Sequence, residues 1–291
     1  MTITILDGGM GGELIRRGLS SRTELWSAQA LLDAPEDVLG VHQDFIQAGA
    51  RMIITNSYST IPSYLAKLEL ADRFEELTQV AGQIARDAAD GSNHEVLVAG
   101  SLPPLSESYR ADLVPADEEA APVYEALVRA LNPYVDLFMC ETMSSVREAR
   151  NAAQAARKYG ENKPIYVSWT LAESAGTGLR SGESIADAVA AIVDLQPDAL
   201  LFNCATPESI EVGLRSLRAL TETAIGAYPN LLHIPEGWTL DDPDVPTGHR
   251  ELSIPDFVDF SQRYVDAGAT IIGGCCGIGP GYIEALSKRF G

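Results

Sequence analysis

Eight short apolar runs, each followed by a longer stretch of helical periodicity, recur along this chain of 291 residues. They are "ITIL" (3–6), "RMIITN" (51–56), "EVLVAG" (95–100), "VDLFMC" (135–140), "PIYVSW" (164–169), "ALLFNC" (199–204), "TAIGAY" (223–228) and "ATIIGG" (269–274). Most are apolar throughout rather than alternating, the pattern of strands covered on both faces. Between them, Pro35–Ala48 puts Val38, Val41, Phe45 and Ile46 on one stripe. Segments 124–131, 146–156, 185–195, 210–220, 257–267 and 283–290 behave alike. Ser184 and Thr206 are placed as N-caps, and Gly49 and Gly268 as helix ends just before strands. The count predicts an α/β fold, a single (β/α)8 TIM barrel over residues 1–291. An open doubly wound sheet is the rival, but "DGGMGGEL" lacks the G-x-G-x-x-G spacing of its phosphate loop. The longest irregular stretches, 101–117 and 229–253, both follow strands and so belong to the catalytic face.

Chemistry in such barrels lies at the C-terminal strand ends. Those positions hold Asp7, Asn56, Ser101, Glu141, Trp169, Cys204, Tyr228 and the pair Cys275–Cys276. Three of the four cysteines thus fall on two strand ends. Successive residues of a strand face opposite ways, so both thiols of the pair can meet one point only where the strand geometry breaks. Gly273, Gly274 and Gly277 permit unusual dihedrals there. Cys204 can then face the pair across the barrel mouth, and three thiolates with one open position suit zinc. Such an ion is a poor activator of water but a good holder of a substrate thiolate, which predicts alkyl transfer to sulfur. Two other readings stay open on these residues: a thiol-redox or zinc-responsive protein without turnover, and a phosphate-binding last loop. Cys140 precedes Glu141 and is read as a packed thiol. Glu141 itself, ending an apolar strand, calls for a cation.

The charge balance, 41 acidic against 21 basic residues and −20 net, excludes a nucleic-acid partner and disfavours an anionic membrane. "MTITILDGGMGG" has no basic n-region, and no window approaches a spanning length. A cytoplasmic location is expected. The oligomeric state is left open, a homo-oligomer included.

The segments "LDGGMGGEL" (6–14), "NC" (203–204) and "GGCCGIGP" (273–280), in this order and spacing, resemble the homocysteine S-methyltransferase family over about residues 4 to 289. The resemblance implies a zinc barrel with Cys204, Cys275 and Cys276 as ligands. It implies that Asp7 and Glu141 hold the amino group of homocysteine and that the backbone amides of Gly8 and Gly9 meet its carboxylate; Asn56, at its strand end, is a further substrate-binding candidate. The reaction implied is methyl transfer from a small onium donor to the thiol, giving methionine. "ELWSAQALLDAPEDVLGVH" (24–42) looks most like the branch using S-methylmethionine, with a betaine-type donor as the alternative, and puts Trp26 near the onium methyl group. Tyr58 and Trp169 are weaker aromatic candidates. The chain departs from that branch at "YPNLLHIPEGW" (228–238), where Leu231, Leu232, His233 and Ile234 replace a serine, a glycine and a polar loop. That departure allows another donor or acceptor, and makes His233 and His249 loop histidines to place.

Overall fold

The computed structural model describes residues 2–19, 25–176, 178–235, 237–239 and 248–291. All eight runs form strands: β1 (Thr4–Ile5), β2 (Met52–Ile54), β3 (Leu97–Leu102), β4 (Leu137–Met143), β5 (Ile165–Trp169), β6 (Ala199–Asn203) and β7 (Ala224–Tyr228) come first. A two-residue ribbon, β8 (Leu232–His233) with β9 (Gly248–His249), interrupts the series before β10 (Ala269–Ile272). The long strands pair in parallel in the order β1-β10-β7-β6-β5-β4-β3-β2. The two edges meet: Leu6 bridges Met52, the Asp7 amide donates to the Met52 carbonyl at 3.0 Å, and the Arg51 amide to Ile5 at 2.8 Å. The sheet thereby closes into an eight-stranded barrel.

The outer layer comprises α1 (Met10–Arg16), α2 (Gln29–Asp33), α3 (Pro35–Gln47), α4 (Pro62–Leu65), α5 (Phe74–Asp90), α6 (Asp117–Leu131), α7 (Val146–Tyr159), α8 (Ile185–Ala190), α9 (Pro207–Arg218), α10 (Ile254–Asp266) and α11 (Pro280–Phe290). Ser184 and Thr206 cap α8 and α9 as expected, accepting from the Asp187 and Ser209 amides. Gly49 and Gly268 adopt φ of +108° and +99°, the left-handed turn that ends α3 and α10. Helix α5 carries no marked apolar stripe in the sequence because its buried face is mostly small: Ala81, Gly82, Ala85, Ala88 and Ala89 beside Leu77. Helix α6 extends further than the periodic segment 124–131, and Pro122 lies inside it. The helix begins at Asp117, because three acidic residues in its first turn favour its N-terminus and a proline near the start removes only one ladder bond.

Alternation along the strands sorts side chains into two cores. On β4, Leu137 and Met139 point into the barrel, where they join Leu6, Met52, Leu201 and Ile271. Phe138 and Cys140 point to the helices. Each such side chain, fully buried, contributes roughly 1.5–3 kcal/mol. The alternation then carries Glu141 back to the barrel axis, at the C-terminal end. Among the described residues, no helix is long and apolar enough to cross a membrane.

Candidate metal and substrate site

A cavity of about 400 Å³ opens at the C-terminal ends of the strands. It is lined by Asp7, Gly8, Gly9, Trp26, Asn56 and Glu141, and by all three cysteines of the two sequence motifs. The irregular segments after β3 and β7 add Ser108, Tyr109 and Leu232 to its wall.

The sulfurs of Cys204, Cys275 and Cys276 all lie within 4.8 Å of one another. Cys204 and Cys275, with Cα atoms 5.6 Å apart, are joined as a disulfide, and the Cys204 and Cys276 sulfurs are 3.9 Å apart. Thiolates bound tetrahedrally at about 2.3 Å stand about 3.8 Å from each other, so the reduced triad fits one zinc ion. The bonded cysteines are not the adjacent pair; Cys275 pairs across the mouth with Cys204. The backbone explains this. Cys204 takes a left-handed φ of +47°, and its amide donates to Tyr228 at 3.2 Å. The Cys275 amide donates to Pro229 at 2.8 Å and the Leu231 amide to Cys276 at 2.8 Å, which ties the cysteine loop to the segment after β7.

The glycines act differently from expectation. Gly277 alone of the three has a positive φ, +84°. Gly273 and Gly274 are required for space: a Cβ on the first would strike Leu6, and one on the second would overlap Ile278. Overpacking of this kind costs about 1–3 kcal/mol. Gly274→Ala is accordingly expected to lower the melting temperature by several degrees and to reduce zinc uptake; wild-type values in thermal unfolding and metal analysis would show that Ile278 yields freely.

Gly8 and Gly9 are also positions of close approach. A Cβ on Gly8 would strike the Ile278 carbonyl, and one on Gly9 would come 2.8 Å from that of Cys275. The Gly9 amide donates to Ile278 at 2.9 Å. In this structure that amide serves the cysteine loop.

Asp7 is buried and its carboxylate accepts from the Ile54 amide at 2.8 Å. Burial, with Glu141 as a neighbouring charge, raises its pKa well above the usual range. Glu141 accepts from the Ser101 hydroxyl at 2.5 Å, and burial lifts its pKa from 4.5 to about 7. No lysine, arginine or histidine lines the cavity among the described residues. Two buried carboxylates without a cation are the electrostatic complement of an ammonium group.

Trp26, at a positive φ of +47°, meets Tyr58 edge to face with centroids 6.1 Å apart. The Tyr58 hydroxyl pairs with Ser108 at 2.7 Å. Asn56 donates to the Ser27 carbonyl at 3.0 Å and so anchors the turn bearing Trp26. Trp169 is fully buried against Phe202 and lies outside the cavity wall. Cys140 is free and buried, its thiol pushed far up by burial. His233 is 63% exposed and paired with Glu173; the His249 side chain and Glu24 lie outside the described residues. The alternation of β4 did not disclose Thr142 and Asn203. Thr142 has φ +60°, and the β4–β5 register slips by one residue between Cys140 and Met143. A bulge of this kind re-aims side chains.

A closed barrel with three sulfurs and two carboxylates at one mouth defines a class: thiol-handling α/β barrels with a soft-metal site. The family model of homocysteine S-methyltransferase matches residues 4–290. A homocysteine S-methyltransferase of Escherichia coli (strain K12) is 31% identical, over 99% of this chain and 95% of that protein. Homocysteine S-methyltransferase 4 of Zea mays is 30% identical, over 98% and 88%. The crystal structure of the E. coli homocysteine methyltransferase MmuM in its metallated form superposes with a TM-score of 0.83 at 30% identity, covering 99% of this chain and 96% of that one. Its oxidized form gives 0.82 at 28%, with the same coverage. The chain belongs to the homocysteine S-methyltransferase family.

Proposed function

We propose that this protein is a zinc-dependent homocysteine S-methyltransferase that uses a small onium donor, S-methylmethionine before betaine. The observation carrying the reading is the convergence of three sulfurs with a buried carboxylate pair in one cavity. Cys204, Cys275 and Cys276 would hold the ion once the disulfide is reduced. What zinc supplies when bound is a substrate sulfur kept as thiolate, where a free thiol with a pKa of roughly 8–9 is mostly protonated at neutral pH.

The chain's own residues position the two reactants. Asp7 and Glu141 take the ammonium of homocysteine and so set where its side chain ends. Trp26 and Tyr58 offer aromatic faces to the sulfonium. The homocysteine sulfur, having lost its proton to solvent, attacks the donor methyl carbon. The carbon–sulfonium bond breaks with its electron pair staying on the donor sulfur. With S-methylmethionine both products are methionine. This donor carries a net positive charge and betaine none, which suits a wall with two carboxylates and, among the described residues, no cationic side chain.

The Cys204–Cys275 disulfide favours a second reading, a thiol-redox protein without turnover. That reading has no use for Asp7 or Glu141. Zinc analysis of the reduced protein, followed by a homocysteine assay across sulfonium and quaternary ammonium donors, separates the two. One zinc per chain and methionine formation are expected. In the same assay Trp26→Leu should raise the KM for the donor about tenfold, since a desolvated cation–π contact contributes about 1–2 kcal/mol. Zinc-loaded, reduced protein that methylates no thiol from any onium donor would end the proposal.

A further inference from the structure

Two positions absent from the site as read from sequence form a hydrogen-bond relay at its edge. Thr142 lines the cavity directly after Glu141, and Asn203 directly precedes Cys204. Both are buried, at 1% and 0% exposure. The Asn203 Oδ1 accepts from the Thr142 amide at 2.9 Å and from the Ser168 hydroxyl at 2.7 Å. Its Nδ2 donates to the Thr142 Oγ1 at 2.8 Å.

Chemistry settles the direction of each bond. A backbone N–H only donates, so the Asn203 atom facing it is the oxygen, and the other is the NH2 group, which also only donates. Thr142 Oγ1 is therefore an acceptor towards Asn203. Both lone pairs of Oδ1 are already taken, so the Thr142 hydroxyl proton cannot return there. Among the described residues that hydroxyl forms no hydrogen bond as a donor; its one partner is the Asn203 NH2 group. A buried hydroxyl with an unplaced proton at a cavity wall is a donor awaiting a ligand.

The ligand group follows from what else the cavity provides, and here the argument rests on the amino-acid-thiol reading above. The ammonium has Asp7 and Glu141. The carboxylate, on the same carbon, faces a wall without a cationic side chain among the described residues; of the two backbone amides expected for it, that of Gly9 is bonded to Ile278 and that of Gly8 remains, which leaves room for a further donor. We infer that Thr142 donates its hydroxyl to the carboxylate of the acceptor amino acid, and that Asn203 is the positioning residue that turns it there. Selectivity for an α-amino acid over a bare aminothiol is the consequence.

The test compares homocysteine with homocysteamine, which has the same thiol and amine but no carboxylate. The readout is the ratio of kcat/KM for the two thiols, with zinc content measured alongside. Thr142→Val and Thr142→Ala should each lower that ratio on the order of tenfold to a hundredfold, the worth of one hydrogen bond to a charged group. Thr142→Ser should keep it. Asn203→Asp is the sharper variant. Its two oxygens still accept from the Thr142 amide and Ser168, yet they also accept the Thr142 hydroxyl proton and draw it out of the cavity. Asn203→Asp should therefore lose the preference as Thr142→Val does, and combining the two should add little. A purely structural role for Asn203 predicts no change in the ratio. Zinc-loaded Thr142→Val or Thr142→Ala protein that retains the wild-type preference for homocysteine would overturn the inference and leave the methyltransferase reading standing. Wild-type protein that methylates neither thiol would remove both.

Discussion

Cys204→Ala protein, reduced and purified with zinc present, is expected to hold less than about a tenth of an equivalent of zinc. Its methyl transfer to homocysteine should fall by at least about a hundredfold, since even the outer partners of metal ligands are worth roughly 10–100-fold. The cause is geometric. Cys204 is the one sulfur supplied from β6, set on a left-handed residue opposite the Cys275–Cys276 loop. Without it, two adjacent thiols remain, and they do not complete a closed set of protein ligands. The change also removes the disulfide partner of Cys275. Oxidant should then no longer protect that thiol through Cys204, and alkylation of oxidised wild-type and mutant proteins will show the difference. Full zinc content with full turnover in Cys204→Ala would mean that the sulfurs are bystanders.

Glu141→Gln should weaken homocysteine binding by about thirty- to a thousandfold, the 2–4 kcal/mol typical of cutting one partner from a buried charge pair. It should also change the pH response. Burial raises the Glu141 pKa in the folded protein from 4.5 to about 7. Ionisation is therefore harder folded than unfolded, and the contribution to stability is fully present below pH 4.5 and lost as pH rises through about 7. The size is roughly 3 kcal/mol, at ~1.4 kcal/mol per tenfold. Asp7, also raised by burial and by Glu141, acts in the same direction. Ligand-free wild type should lose stability between pH 4.5 and 7 more steeply than Glu141→Gln, and homocysteine should oppose the loss by bringing its ammonium. The wild-type KM for homocysteine should fall with rising pH over the same range as the carboxylate ionises, and this limb should be missing in the mutant. Parallel denaturation and pH–rate curves for the two proteins would count against Glu141 as the ammonium partner.

The barrel was legible in the chain because its strands announce themselves locally. Val, Ile and Leu runs such as "ALLF" at 199–202 have one plausible environment, covered on both faces, and the glycines at 49 and 268 mark where helices must stop. Alternation along β4 puts Cys140 and Glu141 on opposite faces, and the structure has Cys140 among the helices and Glu141 at the cavity. The Ala-rich α5 escaped because alanine is as compatible with an exposed helix as with a packed one. The site was legible in its chemistry-bearing residues and opaque in its connections. Which sulfur Cys275 faces, that Gly273 makes room for Leu6, and that the Gly9 amide donates to Ile278 depend on segments distant in sequence. So does the bond from Asn203 to Thr142, since two strands with β5 between them must sit in one particular register before the amide can reach. Local sequence determined which elements form and what chemistry they carry. Only barrel closure decided which atoms are close enough to use it, because hydrogen bonds and metal ligation act over about three ångströms and local periodicity says nothing about distances across the mouth.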